Sequence, residues 1–209
     1  MPEFHTLLIF SAAVLGLLLA PGPNMAFLFA HSLSHGPQGG LAVATGILFA
    51  DLCLAALTAA GVTSVVMAFP ASFDLIRWAG AAYLLWLAAK SFRARTAADA
   101  KVQVEASFGR IVGRSTINSL FNPKALLFFL VFLPQFVDPG RGQVAAQLAV
   151  LGIVLSVEAF AFHAILGLLG GSAGARLKRP GAAVVLGRLQ GSVFVALAAR
   201  LLVIERPAN

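Results

Sequence analysis

Five polar residues stand inside long apolar runs of this chain: Asn24, Asp51, Asn122, Lys124 and Glu158. Two amides, an ammonium and two carboxyls in such surroundings can hold a zwitterion or exchange a proton. A charge at the centre of a membrane helix costs at least ~2.5–3.5 kcal/mol on insertion scales, so such residues usually face the protein interior and handle ions or protons. Their placement adds a second clue. Asn24 closes the run Pro21-Gly22-Pro23-Asn24, and Asn122 opens Asn122-Pro123-Lys124, one break in each half of the chain. Lipid offers no partner to freed backbone, so an unwound turn at that depth must be buried by protein or line a wet cavity. Matched breaks in two halves point to the binding site of a secondary transporter.

The breaks suit an anion. Asn122 is a good helix N-cap and Pro123 a good first residue, because proline lacks an N–H that would be orphaned there anyway. Asn24 can cap the helix that follows Pro23 in the same way. Both breaks then read as starts of half-helices whose free N–H groups and positive dipole end point into the protein. The expected carboxylate site is Gly22, Pro23, Asn24, Asn122, Pro123 and Lys124, with Lys124 adding a full charge. Asp51 and Glu158 supply the opposite sign. They are expected to bind an amine or to carry the coupling proton.

Plainer readings compete with these. Proline kinks in membrane helices are commonly structural. Lys124 can pair with either acid or snorkel to an interface. His31 and His35, one turn apart, read as surface histidines rather than as a proton or metal site. His163, about one turn past Glu158, reads as a packing histidine, with a proton relay as the alternative. Phe128, Phe129, Phe132 and Phe136 are expected to pack or face lipid. Gly167, Gly170, Gly171 and Gly174 suit close helix contact.

The elements that must position these residues are membrane helices. Of the 209 residues, 59% are hydrophobic and 11% charged, with mean hydropathy +0.91. A soluble domain carries roughly 25% charged residues, so most of this surface must meet lipid. Six segments of spanning length can be drawn, at about 4–35, 39–69, 73–91, 110–136, 144–171 and 182–204. The expected fold is all-α and polytopic. Three helices per half is an odd number, so the halves cross the membrane in opposite senses. The result is two inverted three-helix repeats, over 1–92 and 110–209, joined by a cytoplasmic linker over 93–109, with helices 1 and 4 broken at proline.

Charge sets the orientation. Lys90, Arg93, Arg95, Lys101, Arg110 and Arg114 lie around the third loop, and Arg176, Lys178, Arg179 and Arg188 around the fifth. Lys/Arg-rich loops stay cytoplasmic, which puts both termini outside. The net charge of +7 is concentrated in such loops, and no folded basic module surrounds it, which argues against a nucleic-acid partner. The N-terminal segment reads as a retained helix. It has no Lys or Arg before Arg77, and Ala20-Pro21-Gly22 is a poor cleavage site. Cys53 is the single cysteine, so no internal disulfide, thiol pair or Cys-rich metal site is expected.

A count of residues predicts two pairs. Asn24 lies 13 residues before Pro37 and Asp51 lies 14 after it, which places both about 20 Å down a helical hairpin. Asn122 lies 18 before Gly140 and Glu158 lies 18 after it. Both pairs should approach the middle of the membrane core.

Several stretches resemble the lysine-exporter and homoserine/threonine-resistance (LysE/RhtB) family of bacterial amino-acid exporters. They are Pro21-Gly22-Pro23-Asn24-Met25, the Gly36…Gly40-Leu41 turn, Gly46-Ile47-Leu48-Phe49-Ala50-Asp51 and Gly80-Ala81-Ala82-Tyr83-Leu84-Leu85. Asn122-Pro123-Lys124-Ala125, with Phe128-Phe129 and Phe132-Leu133-Pro134-Gln135-Phe136, completes the set. The resemblance spans nearly the whole chain. It implies export of amino acids or close derivatives across the bacterial inner membrane by proton antiport with alternating access. It also suggests kinship with a superfamily of inverted three-helix repeats whose thiol–disulfide members need paired cysteines.

The expected partners are a small-molecule substrate (an amino acid), protons and the bilayer. A homodimer suits a carrier this small, although no motif demands one. No cofactor and no metal is expected. An intramembrane enzyme would need a nucleophile–base pair or metal ligands at the breaks, and no Ser–His or HExxH pattern occurs. The alternative is a cation or small-solute channel or carrier of the same superfamily, with a different substrate.

Overall fold

The structure, a computed structural model, describes residues 2–19, 22–68 and 107–177, with backbone alone for 62–68, 123 and 171–177, and scattered helical positions within 78–92 and 185–202. Pro21, most of the expected linker and most of the expected third and sixth segments lie outside the described residues. So do Lys178 and Arg179. The described residues form α1 (Phe4–Leu18), α2 (Pro23–Ala68), α3 (Phe108–Leu120), α4 (Pro123–Leu127) and α5 (Val144–Leu177). No strand occurs among them.

Two stretches, Pro23–Gly61 with 39 residues and Val144–Gly170 with 27, are long and apolar enough to cross a membrane. Large apolar side chains line their outer faces, among them Phe49 and Leu57 on α2 and Val157 and Ile165 on α5. In water such faces would be driven together; against acyl chains they cost nothing.

α2 is not one rod. Gly36 has φ 62° and ψ −155°, a conformation glycine enters without a Cβ penalty. A Cβ placed on Gly39 would strike the His31 carbonyl, and one on Gly40 would lie 2.5 Å from Ser32 Oγ. Eight residues of straight helix rise about 12 Å, so the chain has folded back at Gly36. Pro37, which lacks an N–H, follows the reversal. The second leg of α2 then has length enough for a span by itself.

That leg packs tightly on α5. A Cβ on Gly40 would lie 2.5 Å from Gly167 Cα, and one on Gly152 would lie 2.6 Å from Ala55 Cβ. The sequence advances from 40 to 55 on one helix while it retreats from 167 to 152 on the other, so the two run antiparallel over about 22 Å. Small residues permit that approach, and in lipid close packing is what holds helices together. On another side, α2 meets α3. Ser115 Oγ donates to the Val43 carbonyl at 2.9 Å, and Thr116 Oγ1 donates to the Gly46 carbonyl at 3.1 Å.

Beyond α4 the helix changes character. Phe128–Phe132 forms a π-helical turn and Leu133–Phe136 a 3₁₀ turn. Pro134 has no N–H to offer the carbonyl four residues back, so the α ladder cannot continue through it. Gln135 Nε2 donates to the Val131 carbonyl at 3.1 Å and satisfies one acceptor there. This stretch packs as an aromatic cluster. Phe10 of α1 stacks on Phe132 at 5.5 Å and meets Phe136 edge-on at 5.1 Å. Around the next turn, Asp138–Gln143, the Asp138 N–H donates to Gln147 Oε1, and Arg141 pairs with Glu3 and Asp138. α1 is thereby tied to the start of α5.

Candidate functional site

Each helix end beside a proline leaves carbonyls without donors. Pro123 carries no N–H, so the Ser119 carbonyl loses the partner four residues on. The Ser119 carbonyl instead accepts from Asn122 N–H at 3.1 Å. The Leu17 carbonyl accepts from Lys124 Nζ at 3.0 Å, across 107 residues of sequence. The reverse crossing also exists. Asn24 Nδ2 donates to Ser119 Oγ at 2.9 Å, and Asn118 Nδ2 donates to Asn24 Oδ1 at 3.0 Å. The residue after each proline thus reaches the closing turn of the helix before the other proline.

Asn24 therefore does not cap the helix that follows Pro23, as the sequence suggested. Pro23 begins the helix, and the Gly22 carbonyl accepts from Ala26 N–H at 3.0 Å. The Asn24 side chain is one residue too far in and is spent on α3. Asn122 does cap. Its Oδ1 accepts from the Lys124 N–H at 3.0 Å, so that N–H is already taken. Lys124 Nζ also lies 5.7 Å from the Phe128 ring centroid, a cation–π distance.

Gly22, Asn24, Asp51, Asn122 and Lys124 line one cavity, where the two breaks meet the second leg of α2 and α5. The space open to the centres of water molecules is about 50 Å³, room for a few waters. Leu18, Met25, Ile47, Phe128, Phe129 and Leu155 make up most of the apolar wall. Asp51 is buried, and among the described residues no hydrogen bond or ion pair ends on its carboxylate. The structural ion pair between Asp51 and Lys124 is thus not made.

Two placements differ from the sequence reading. Glu158 does not line the cavity; Leu155, Ala159 and His163 of the same helix do. The buried face of α5 runs through Leu148, Leu151, Leu155, Ala159 and His163, and Glu158 is about 100° off Ala159 in helical phase. Glu158 Oε2 is buried without a hydrogen-bond partner among the described residues. Residue counting fixes position along a helix but not its phase, and phase turns Glu158 away from the face that Ala159 presents to the cavity. The other difference is at the first hairpin. His31 is fully buried rather than at the surface, and its Nδ1 donates to the Phe27 carbonyl at 3.0 Å. No group of three metal-ligating side chains occurs among the described residues.

Comparison with known proteins bears on this arrangement. Residues 15–205 match the family described as LysE type translocator. The chain belongs to the LysE-type translocator family. The leucine efflux protein of Salmonella typhimurium is 34% identical over 195 residues, covering 90% of this chain and 91% of its own. That of Klebsiella pneumoniae is 34% identical over 192 residues, with the same shares, and that of an Enterobacter species 33% over 191, with 88% and 89%. No solved structure matches the chain. In this LysE-type translocator, Gly22, Asn24, Asp51, Asn122 and Lys124 converge on one space between apolar helices.

Proposed function

We propose that this protein exports amino acids, leucine or similar aliphatic ones among them, across the inner membrane of a bacterium. The observation that carries this is the cavity itself. It brings together Asp51, whose carboxylate has no hydrogen bond or ion pair among the described residues, the ammonium of Lys124, and an apolar wall that includes Ile47, Met25, Phe128 and Leu155. A zwitterion with an aliphatic side chain complements all three parts. The relatives named as leucine efflux proteins, at 34% identity over 90% of the chain, support the same class.

In this reading the substrate carboxylate docks at Gly22, Asn24, Asn122 and Lys124, with Pro23 and Pro123 holding the breaks open, and Asp51 takes the ammonium or the coupling proton. Lys124 reaches the carboxylate by releasing the Leu17 carbonyl. Glu158, off the cavity, is the second membrane carboxyl available for proton exchange. The whole is a multi-pass protein of six spans in two inverted three-helix repeats, 1–92 and 110–209, with the linker 93–109 in the cytoplasm. Helix 1 joins α1 to the first leg of α2, and helix 4 joins α3 to the turn ending at Phe136. The reciprocal crossings of Asn24 and Lys124 support that symmetry, because an inverted repeat makes each break meet the other half in the same way.

Export is driven by proton antiport, and the halves rock about the fixed site in alternating access. Purified protein in liposomes tests this. Labelled leucine should exchange in counterflow, saturate with concentration, and accumulate when a pH gradient is imposed. Flux that is unsaturable and indifferent to the gradient would indicate a channel instead. A wild-type protein that moves no member of an amino-acid panel would remove the reading.

A further inference from the structure

The cavity contains one more polar side chain, His163 of α5, and it is buried. Its Nδ1 lies 2.7 Å from the Ala159 carbonyl. A carbonyl can only accept, so Nδ1 carries the hydrogen. In the neutral ring Nε2 is then the lone-pair nitrogen, and with Nδ1 spent on the Ala159 carbonyl it is the end of the ring left for the cavity. Phe162 meets the ring edge-on at 5.5 Å and 88°, which fixes its plane. Asp51 enters the same cavity from α2 without a hydrogen bond among the described residues. α2 and α5 are locked glycine to glycine and glycine to alanine, so backbone packing sets the spacing of the two acceptors. The cation of the site, Lys124, is turned to the Leu17 carbonyl.

A substrate ammonium has three N–H donors in tetrahedral directions. One carboxylate does not serve all three, and a donor left without a partner in a small, mostly apolar cavity is costly. We propose that His163 Nε2 accepts a hydrogen bond from the substrate ammonium alongside Asp51, and so selects amino acids over acids of the same shape that lack the amine. The inference rests on the amino-acid reading above and adds the residue that reads the amine. A histidine that served only packing would, when shortened to asparagine, weaken an amino acid and its desamino analogue alike.

Two amide variants separate the roles. His163→Asn keeps a donor for the Ala159 carbonyl but ends short of the cavity. His163→Gln carries its polar end to about the position of Nε2. Leucine and its desamino analogue 4-methylpentanoate would be compared as competitors of labelled-leucine counterflow in proteoliposomes. The wild type should prefer leucine. His163→Asn should lose roughly tenfold or more of that preference, through weaker leucine competition alone, while His163→Gln stays within about threefold of wild type. Equal weakening of both competitors, or an unchanged preference in His163→Asn, would overturn the assignment. Wild-type protein that exchanges no amino acid would instead remove the functional reading, and this assignment with it. Should neither variant fold, ¹⁵N spectra of the wild-type imidazole decide. Leucine, but not 4-methylpentanoate, should shift the Nε2 resonance, and a resonance that ignores both would overturn the assignment.

Discussion

Asp51 is a buried carboxyl facing a cavity in which no described protein group donates to it. A hydrogen bond to a charged group is worth roughly 1.5–3 kcal/mol, or about 10- to 150-fold in affinity. Asp51→Asn should therefore cut uphill, pH-gradient-driven accumulation by about tenfold or more. Accumulation at the wild-type level would show that Asp51 neither reads the amine nor carries the proton. Lys124 has a double place, as a tie to the Leu17 carbonyl and as the base of the cavity. Lys124→Met removes both, so it should lower counterflow and also the melting temperature in detergent. A variant that melts earlier yet transports normally would confine Lys124 to structure. Asn24, Asp51, Asn122 and Lys124 were legible in the sequence because each is a polar interruption of an apolar run. Asn118 and Ser119 were not. They sit in a helix with ordinary polar residues nearby, and only the fold brings Asn24 to them. His163 and Glu158 are both polar residues in an apolar helix, and helical phase, which counting does not fix, decides which one faces the cavity.

The elements hold that cavity by close contact at small residues. Gly36 turns the chain at φ 62° and Gly40 lies against Gly167. Gly40→Val should cost about 1–3 kcal/mol by overpacking, read as a lower melting temperature. Gly36→Ala should cost about 1–3 kcal/mol, because its positive φ with extended ψ is a backbone region essentially confined to glycine. A Gly40→Val protein as stable as wild type would mean that α2 and α5 are not in contact there. The turn at Gly36-Pro37 was readable because glycine followed by proline ends a helix with a known mechanism. The partner of Gly40 was not readable, since glycines at 167, 170, 171 and 174 were equal candidates until the antiparallel register selected 167. The π and 3₁₀ turns before Phe136 were missed as well. Pro134 signalled a break in the ladder but not how the chain would repair it.

At the scale of the whole molecule, the apolar composition announced a membrane protein, and two stretches, Pro23–Gly61 and Val144–Gly170, are long and apolar enough to cross a membrane. The proposed orientation rests on basic loops, a rule of insertion rather than of folding. It predicts accessibility. With Cys53 replaced by alanine, a cysteine at Ala98 in the linker should react with an impermeant maleimide only in inside-out vesicles. A cysteine at Gly140 should react only from the outer face. The reverse pattern would invert the topology and turn the exporter reading around. The account stands most directly on where the substrate sits. Ala125 lines the cavity between Asn122 and Phe128, so in the same background Ala125→Cys should be alkylated by a small methanethiosulfonate. Saturating leucine should slow that reaction several-fold, while leaving a cysteine at Gly140 unaffected. An alkylation rate at residue 125 that does not change with leucine, in protein that still transports leucine, would contradict the placement of the substrate between the two proline breaks.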